Sequence, residues 1–235
     1  MNQVPIYGLE STVQVIARDI EDSVSQAAMP RAEEALIYEL ICCILSSQVP
    51  YDLAISATEC LIGDGLAQWA FVLPVDELEQ AVTTILLKPL HTPSGSRRYR
   101  FPHRKAREIA SAFERFRLSQ GSIAEFLRQY PEPAKARHWL VENISGLGPK
   151  QASMFLRNAG HSRDLAILDR HILKYMRLIQ ISDLGAGVSR LKDYEKEERR
   201  FADHAALLGF PVGILDSAVW IVLRAAAQLE GAAGW

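Results

Sequence analysis

The stretch "ISGLGPKQASMFLRNAG", residues 144–160, contains the turn that decides the fold. Leu147 separates Gly146 from Gly148, and glycine permits positive φ and the close approach of other groups. A new helix is predicted to begin at Pro149, since proline fits the first helical position, where its missing N–H is not needed. Lys150 therefore lies in the first helical turn, where the helix dipole makes a cation locally unfavourable. Lys150 is either an ordinary solvated lysine or an amine placed there for chemistry.

A helix, a Gly-x-Gly turn and a second helix form a helix–hairpin–helix pattern over about residues 133–159. The N–H groups of residues 148–152 can hold a phosphate, as other helix N-termini do. Such a turn grips the DNA backbone without reading its sequence. The same pattern also fits an αα-hairpin that only packs two helices together.

The rest of the chain has helical periodicity. Within residues 11–27, for example, apolar residues recur at spacings of three and four. No segment of useful length alternates with period two, so the sequence predicts an all-α protein of about ten helices. Residues 89–102, rich in Pro, Gly and Ser, are expected to be the longest irregular connection, and residues 185–209 a surface-exposed charged helix.

Composition excludes several classes of protein. The 235 residues are 49% hydrophobic and 23% charged, which is a globular balance, and the net charge of −2 argues against indiscriminate coating of nucleic acid. Three cysteines, Cys42, Cys43 and Cys60, lack the spacing of a zinc or iron–sulfur site, so no metal is expected. No signal peptide or membrane span is recognisable. We expect a cytoplasmic protein without a membrane partner.

A second position of interest follows the apolar run of residues 165–168. Asp169 ends this run and is predicted to be the N-cap of the next helix. The short connection from the preceding helix would bring the starts of both helices, and so Lys150 and Asp169, to the same side. A partly desolvated lysine beside a carboxylate is a plausible nucleophile or electrostatic pair.

These segments, "GLGPKQASMFLRNAG" and "LAILDRHIL", resemble the helix–hairpin–helix (HhH-GPD) DNA glycosylase superfamily, most closely its prokaryotic 8-oxoguanine DNA glycosylase/AP lyase branch. That family has a lysine after the hairpin and an aspartate about nineteen residues on, which fall here on Lys150 and Asp169. Weaker similarity extends to residues 44–57, 100–110 and 215–223. The sequence differs from the relatives that carry an iron–sulfur cluster, because it lacks the four cysteines that bind the cluster.

The resemblance implies a two-lobed helical fold with a cleft between the lobes. We expect one lobe from residues 1–35 and 181–235, and a central lobe from residues 36–180. It also implies a monomer that needs no cofactor, binds double-stranded DNA containing a damaged base and is nucleoid-associated when bound. The enzyme would flip an oxidised purine, 8-oxoguanine, out of the duplex.

The resemblance also implies roles for the two candidate catalytic residues. Lys150, as a neutral amine, would attack C1′ of the deoxyribose, expel the base and form a Schiff base, and 3′ β-elimination would follow. Asp169 would stabilise the developing positive charge on the sugar, or orient the amine and the attacking groups. The dipole of the helix disfavours protonation of the amine at Lys150, which gives its position a rationale.

Further residues are candidates for binding. The amide of Gln48 would either fill the space left by the flipped nucleotide or cap a helix, and His171 would contact phosphate or cap its helix. Residues 97–107 concentrate positive charge, with Tyr99 and Phe101 available for stacking. The predicted DNA contacts are Gly146, Gly148, Gln48, Arg104, Lys105 and His171, and the predicted base-pocket residues are Phe101 and Trp235, the latter alternatively a plug or a frayed tail.

Two other functions fit the same sequence. In a monofunctional glycosylase for another lesion, Lys150 would only bind phosphate. In a non-catalytic DNA-binding adaptor, the helix–hairpin–helix would bind the backbone and no chemistry would occur. The pairing of Lys150 with Asp169 favours the glycosylase/lyase over both.

Overall fold

The computed structural model describes residues 6–23, 32–93, 95–184 and 187–232. Two antiparallel strands pair Leu90 with Arg97 and Thr92 with Gly95. In chain order the elements are α1 (Ile6–Ser23), α2 (Glu33–Leu45), α3 (Tyr51–Gly63), α4 (Leu66–Trp69), α5 (Val75–Leu86), β1 (Leu90–Thr92), β2 (Gly95–Arg97), α6 (Pro102–Ser119), α7 (Ile123–Gln129), α8 (Pro133–Asn143), α9 (Pro149–Asn158), α10 (Arg170–Leu178), α11 (Leu191–Leu208) and α12 (Val212–Ala232).

The predicted all-α class is confirmed, with twelve helices in the described part of the chain. The expectation that residues 89–102 are irregular is wrong, because the hairpin of β1 and β2 lies within them. Each strand has only three residues, which is too short to show a period of two. The single turn of α4 also escaped prediction, since four residues carry no helical periodicity.

The chain forms two compact units, one of residues Pro30–His161 and one of residues Met1–Met29 and Ser162–Trp235. This division differs from the expected one, which grouped residues 162–180 with the central segment. In the structure α10 packs on α12, and so its residues belong with the chain ends. The predicted boundary at residue 180 is therefore wrong.

Helix α2 is central to the unit of residues Pro30–His161. It contacts α3, α6, α7 and α9, and it is apolar on most of its surface. Cys42 and Cys43 are buried within it, whereas Cys60 in α3 is exposed. Because α9 carries Lys150 and packs on both α2 and α8, the helix–hairpin–helix is anchored to the core of this unit.

In the other unit, α1, α10 and α11 surround α12, and their apolar side chains form one core. The prediction that α11 is a surface helix is only half right. One face carries exposed charges, but the other buries Tyr194, Glu197, Glu198, Phe201 and His204. Of the helices described, none alone is long and apolar enough to cross a membrane. Helix α11 and residues 212–227 meet the length and composition criteria for a membrane span only when they are taken together, and the two helices are bent by 94° at the break between them.

Candidate active site

The turn of the helix–hairpin–helix joins α8 to α9. Leu147, buried beneath it, donates a backbone hydrogen bond to Ile144 O over 3.2 Å. Gly146 has φ of +91°, a conformation that glycine permits. Gly148 does not use this freedom, because it is the N-cap of α9 with an extended backbone (φ −82°, ψ 179°). Pro149 occupies the first turn of α9, as predicted.

Glycine is required at residue 146 by its surroundings as well as by its φ. A Cβ there would lie 2.6 Å from Oε2 of Glu108 and 3.2 Å from Cγ2 of Ile44. Neither atom has room to retreat, since Glu108 is held by ion pairs and Ile44 is in the core. At Gly148 a Cβ would meet only Oε1 of Gln151, at an ordinary 3.6 Å.

Helix α9 is fixed along its length by polar contacts. Arg137 in α8, only 2% exposed, donates from Nη1 to Oγ of Ser153 over 3.1 Å. Near the C-terminal end, Asn158 donates from Nδ2 to Oε2 of Glu39 in α2 over 2.9 Å. The first turn of α9, and with it Lys150, therefore has a defined position within this unit.

Lys150 is half-buried in that first turn. Burial raises the pKa of the Cys43 thiol well above its ordinary value, and the positive charge of Lys150 partly opposes this rise, so the two groups are neighbours. Among the residues that the structure describes, Nζ of Lys150 takes part in no hydrogen bond or ion pair. The site therefore presents a primary amine that no carboxylate engages.

Asp169 is the N-cap of α10, as predicted. Its Oδ1 accepts backbone hydrogen bonds from His171 N (2.7 Å) and Ile172 N (3.0 Å). Its Oδ2 carries no hydrogen bond to the described portions of the chain. The half-buried carboxylate thus caps the helix with one oxygen.

His171 follows Asp169 in the first turn of α10. Its ring is half-buried, and burial lowers the pKa of its imidazole below 6.5. Nε of Arg170 donates to His171 Nε2 over 3.3 Å, and Lys174 and Arg224 add positive charge nearby. Because Asp169 caps the helix, the side chain of His171 is not the cap. A phosphate contact stays its predicted role.

The basic segment of residues 97–107 is only partly exposed. Lys105 is 1% exposed, and its Nζ donates to Oε2 of Glu108 over 2.6 Å. Burial lowers the pKa of Lys105, and the bond to Glu108 opposes that shift. The prediction that Lys105 contacts DNA is therefore wrong. Arg104 is exposed and donates from Nε to Oε1 of the same carboxylate over 2.8 Å, so it can still reach a ligand.

The two aromatic residues of this segment differ. Tyr99 is buried, its hydroxyl donates to Leu45 O over 2.5 Å, and burial raises its pKa. The expectation that Tyr99 stacks on a base is therefore wrong. Phe101 is half-buried beneath two guanidinium groups, with Cζ of Arg100 at 4.8 Å and Cζ of Arg104 at 5.8 Å from the ring centre.

Gln48 is described by the structure, whereas Trp235 is not. Gln48 is exposed between α2 and α3 with φ of +64°, a backbone conformation that costs a non-glycine residue roughly 1–2 kcal/mol. The C-cap of α2 is Ser46, so Gln48 does not cap that helix. Trp235 lies outside the described residues.

The candidates are distributed over both units. Lys150, Gln48, Phe101 and the glycine turn belong to residues Pro30–His161, and Asp169 and His171 belong to the other unit. The described ranges contain no group of three or more His, Cys, Asp or Glu side chains that could hold a metal ion.

Comparison with known proteins identifies the family. A family model described as "8-oxoguanine DNA glycosylase" matches residues 18–210. The chain belongs to the 8-oxoguanine DNA glycosylase family. It is 31% identical over 217 residues to an 8-oxoguanine DNA glycosylase/AP lyase of Thermoplasma acidophilum, covering 92% of this chain and 93% of the relative. The family predicted from residues 144–176 is thereby confirmed.

Two solved structures of the family share its fold. The 8-oxoguanine DNA glycosylase of Thermotoga maritima matches with a TM-score of 0.69 and 26% identity, covering 93% of this chain and 97% of that chain. The glycosylase/lyase of Methanocaldococcus jannaschii, in complex with a 15mer DNA containing 8-oxoguanine, matches with a TM-score of 0.60 and 25% identity, covering 94% and 91%. The predicted fold is therefore confirmed as well.

Sequence reasoning missed two charged residues that shape the hairpin. Glu108 follows Arg104 and Lys105 by four and three residues, a spacing that signals ion pairs on one helix face. The sequence gives no indication that this face is buried against residue 146. Arg137 carried no signal at all, since a buried arginine looks like a surface one in sequence.

We expect Gly146→Ala to lower the free energy of unfolding by about 1–3 kcal/mol, because alanine is strained at this φ and its Cβ meets Glu108. Gly148→Ala is the matched control and is expected to cost less than about 0.5 kcal/mol. Urea denaturation of both variants measures the difference. Equal costs at the two positions would contradict this account of the turn.

Proposed function

We propose that this chain excises 8-oxoguanine from double-stranded DNA and then cleaves the strand, with Lys150 as nucleophile and Asp169 as the group that stabilises positive charge. The activity agrees with that named for its relatives, 8-oxoguanine DNA glycosylase/AP lyase. The observation that carries the residue assignment is the half-buried amine of Lys150, which no described group pairs with, at the start of α9.

The reaction begins with the neutral amine of Lys150. Its lone pair attacks C1′, the bond from C1′ to the base breaks, and the base leaves with that electron pair. Opening of the sugar ring then gives an imine between Nζ and C1′. Loss of a proton from C2′ expels the 3′ phosphate, and water hydrolyses the imine to regenerate the lysine. No step needs an oxidant, a reductant or a metal.

Asp169 would act on the charge that develops on the sugar. A carboxylate oxygen near the ring stabilises the cationic transition state, and a fixed oxygen does so without reorganisation. Oδ1 is committed to the helix cap, which fixes the side chain, and Oδ2 is the oxygen that would face the sugar. The capping and electrostatic roles therefore reinforce each other.

The proposed DNA contacts come from several parts of the chain. The N–H groups at the start of α9, with Gly148, would hold a phosphate. The exposed arginines of residues 97–107, including Arg104, would add non-specific affinity. Phe101 would contact the damaged base, Gln48 would fill the vacated space and His171 would bind a phosphate. The relatives are prokaryotic DNA repair enzymes, so we place the chain in the cytoplasm, at the nucleoid when it is bound to DNA.

We expect wild-type protein to form a covalent adduct with a duplex containing 8-oxoguanine when borohydride is present, because borohydride reduces the imine to a stable amine. Lys150→Gln is expected to lose the adduct and to lower strand cleavage by at least about 100-fold. Lys196→Gln removes an exposed lysine of α11 and is the control, which is expected to keep the adduct and the strand cleavage of the wild type. Gel electrophoresis of the trapped reactions measures the adduct.

The other functions give different results in the same assay. Base release without an adduct in the wild type would indicate a monofunctional glycosylase. Neither release nor adduct on a set of oxidised bases would indicate the adaptor. An adduct that persists in Lys150→Gln would assign the imine to another amine.

We expect Arg98→Gln to reduce the slope of log affinity against log salt by about 1, because each phosphate contact releases condensed counterions. Lys105→Gln is expected to leave this slope unchanged, since Lys105 is buried, and to lower the free energy of unfolding by about 1.5–3 kcal/mol. DNA binding at several salt concentrations, with urea denaturation, measures both. A slope lowered by Lys105→Gln and not by Arg98→Gln would contradict this assignment.

A further inference from the structure

Residues 165–168 form a buried segment, outside any helix or strand, that leads directly into Asp169. The sheet of the described residues contains only β1 and β2, so no strand pairs with this segment. Buried backbone N–H groups are costly unless they find acceptors. Three consecutive N–H groups, those of residues 166, 167 and 168, find them in side chains instead of in a neighbouring strand.

Helix α11 supplies two of the three acceptors. Ala166 N donates to Oε1 of Glu198 over 3.0 Å, and Leu168 N donates to the hydroxyl oxygen of Tyr194 over 2.9 Å. The same hydroxyl donates its own proton to Ala166 O over 2.7 Å. Tyr194 and Glu198 are four residues apart and so lie on one face of α11. Residues 166 and 168 are therefore bound to one helix.

Helix α12 supplies the third acceptor. Ile167 N donates to Oδ2 of Asp216 over 2.5 Å, and Gly213 N at the start of the same helix donates to Arg163 O over 2.9 Å. Residues 166 and 168 therefore bind α11, and residue 167 between them binds α12.

These three side chains, Tyr194, Glu198 and Asp216, are here called the backbone clamp. They are 0%, 9% and 2% exposed. Hydrogen bonds from neutral N–H groups to a buried carboxylate are short and strong, and a buried carboxylate without them is costly. The clamp side chains therefore gain these hydrogen bonds only when residues 166–168 occupy this position.

We propose that the backbone clamp positions the carboxylate of Asp169 for the reaction. Asp169 N donates to Ile167 O over 2.6 Å, so the clamped segment is joined directly to the residue that it would place. A displacement of about 1 Å at a reacting group can cost about 100-fold in rate. Tyr194, Glu198 and Asp216 are thus positioning residues, and this inference rests on the role proposed above for Asp169.

The test is a double-mutant cycle on the rate of base excision. Tyr194→Phe removes the hydroxyl that bonds residues 166 and 168, and we expect it to lower the single-turnover excision rate by at least about tenfold at saturating protein. DNA affinity should be unchanged. In an Asp169→Asn background, Tyr194→Phe should cause no further loss, because it acts through Asp169.

Tyr175→Phe is the matched control. Tyr175 is a fully buried tyrosine of α10 whose hydroxyl lies 3.0 Å from Nε2 of His204 and is not one of the groups that bond residues 166–168. The variant removes one buried hydroxyl and is expected to lower stability while the excision rate stays within about twofold of wild type. The rates are measured below the unfolding transition of every variant, so stability alone cannot change them.

The results separate this inference from the proposed function. A wild-type rate in folded Tyr194→Phe, or an equal loss in both backgrounds, would overturn the clamp's role while Asp169→Asn remains impaired. A wild-type rate in Asp169→Asn would overturn the role proposed for Asp169, and the inference with it, while the trapping experiment would still test excision through Lys150. If Tyr194→Phe does not fold, Asp216→Ala and Asp216→Asn replace it. The asparagine of Asp216→Asn keeps an oxygen that can accept from Ile167 N, so this variant should regain the excision rate that Asp216→Ala loses. Equal excision rates in the two variants would contradict the proposed role of the clamp.

Discussion

The carboxylate of Glu108 is the group on which the hairpin region depends. It accepts hydrogen bonds from Lys105 and Arg104, and its Oε2 faces the backbone of residue 146. A carboxylate in this position is costly without counter-charges, so Lys105 is buried with it. The turn approaches so closely that residue 146 has no room for a side chain. The start of α6 and the turn before Lys150 are therefore held together by one charged group.

In the second unit, too, buried carboxylates lie next to the backbone that precedes a candidate reactive residue. Glu198 and Asp216 are buried carboxylates, and their acceptor capacity is used by the backbone that precedes Asp169. In each unit the candidate reactive side chain stands in the first turn or at the cap of a helix, next to backbone that buried polar groups fix. Such support is what a preorganised site needs, since charge stabilisation in the transition state depends on groups that do not have to move.

Local signals in the sequence predicted the local features. The glycine turn, the start of α9 at Pro149 and the cap at Asp169 each depend on a few neighbouring residues, and the structure has all three. Burial was predicted less well, because it depends on partners distant in sequence. Lys105 is buried with Glu108, whose carboxylate lies against residue 146 of the turn, and the buried face of α11 includes acceptors for the backbone of residues 166 and 168. The sequence also could not show that only Gly146 uses the conformational freedom of glycine, since Gly148 is an N-cap with an extended backbone.

The central claim is that the amine of Lys150 forms the imine with the DNA. Mass spectrometry of the borohydride-reduced adduct, after digestion with nuclease and trypsin, tests it most directly. Modification at Lys150 blocks cleavage there, so the account predicts the reduced sugar on a peptide spanning residues 138–157. The sugar on a peptide containing Lys174, on another lysine or on the N-terminal amine would contradict it.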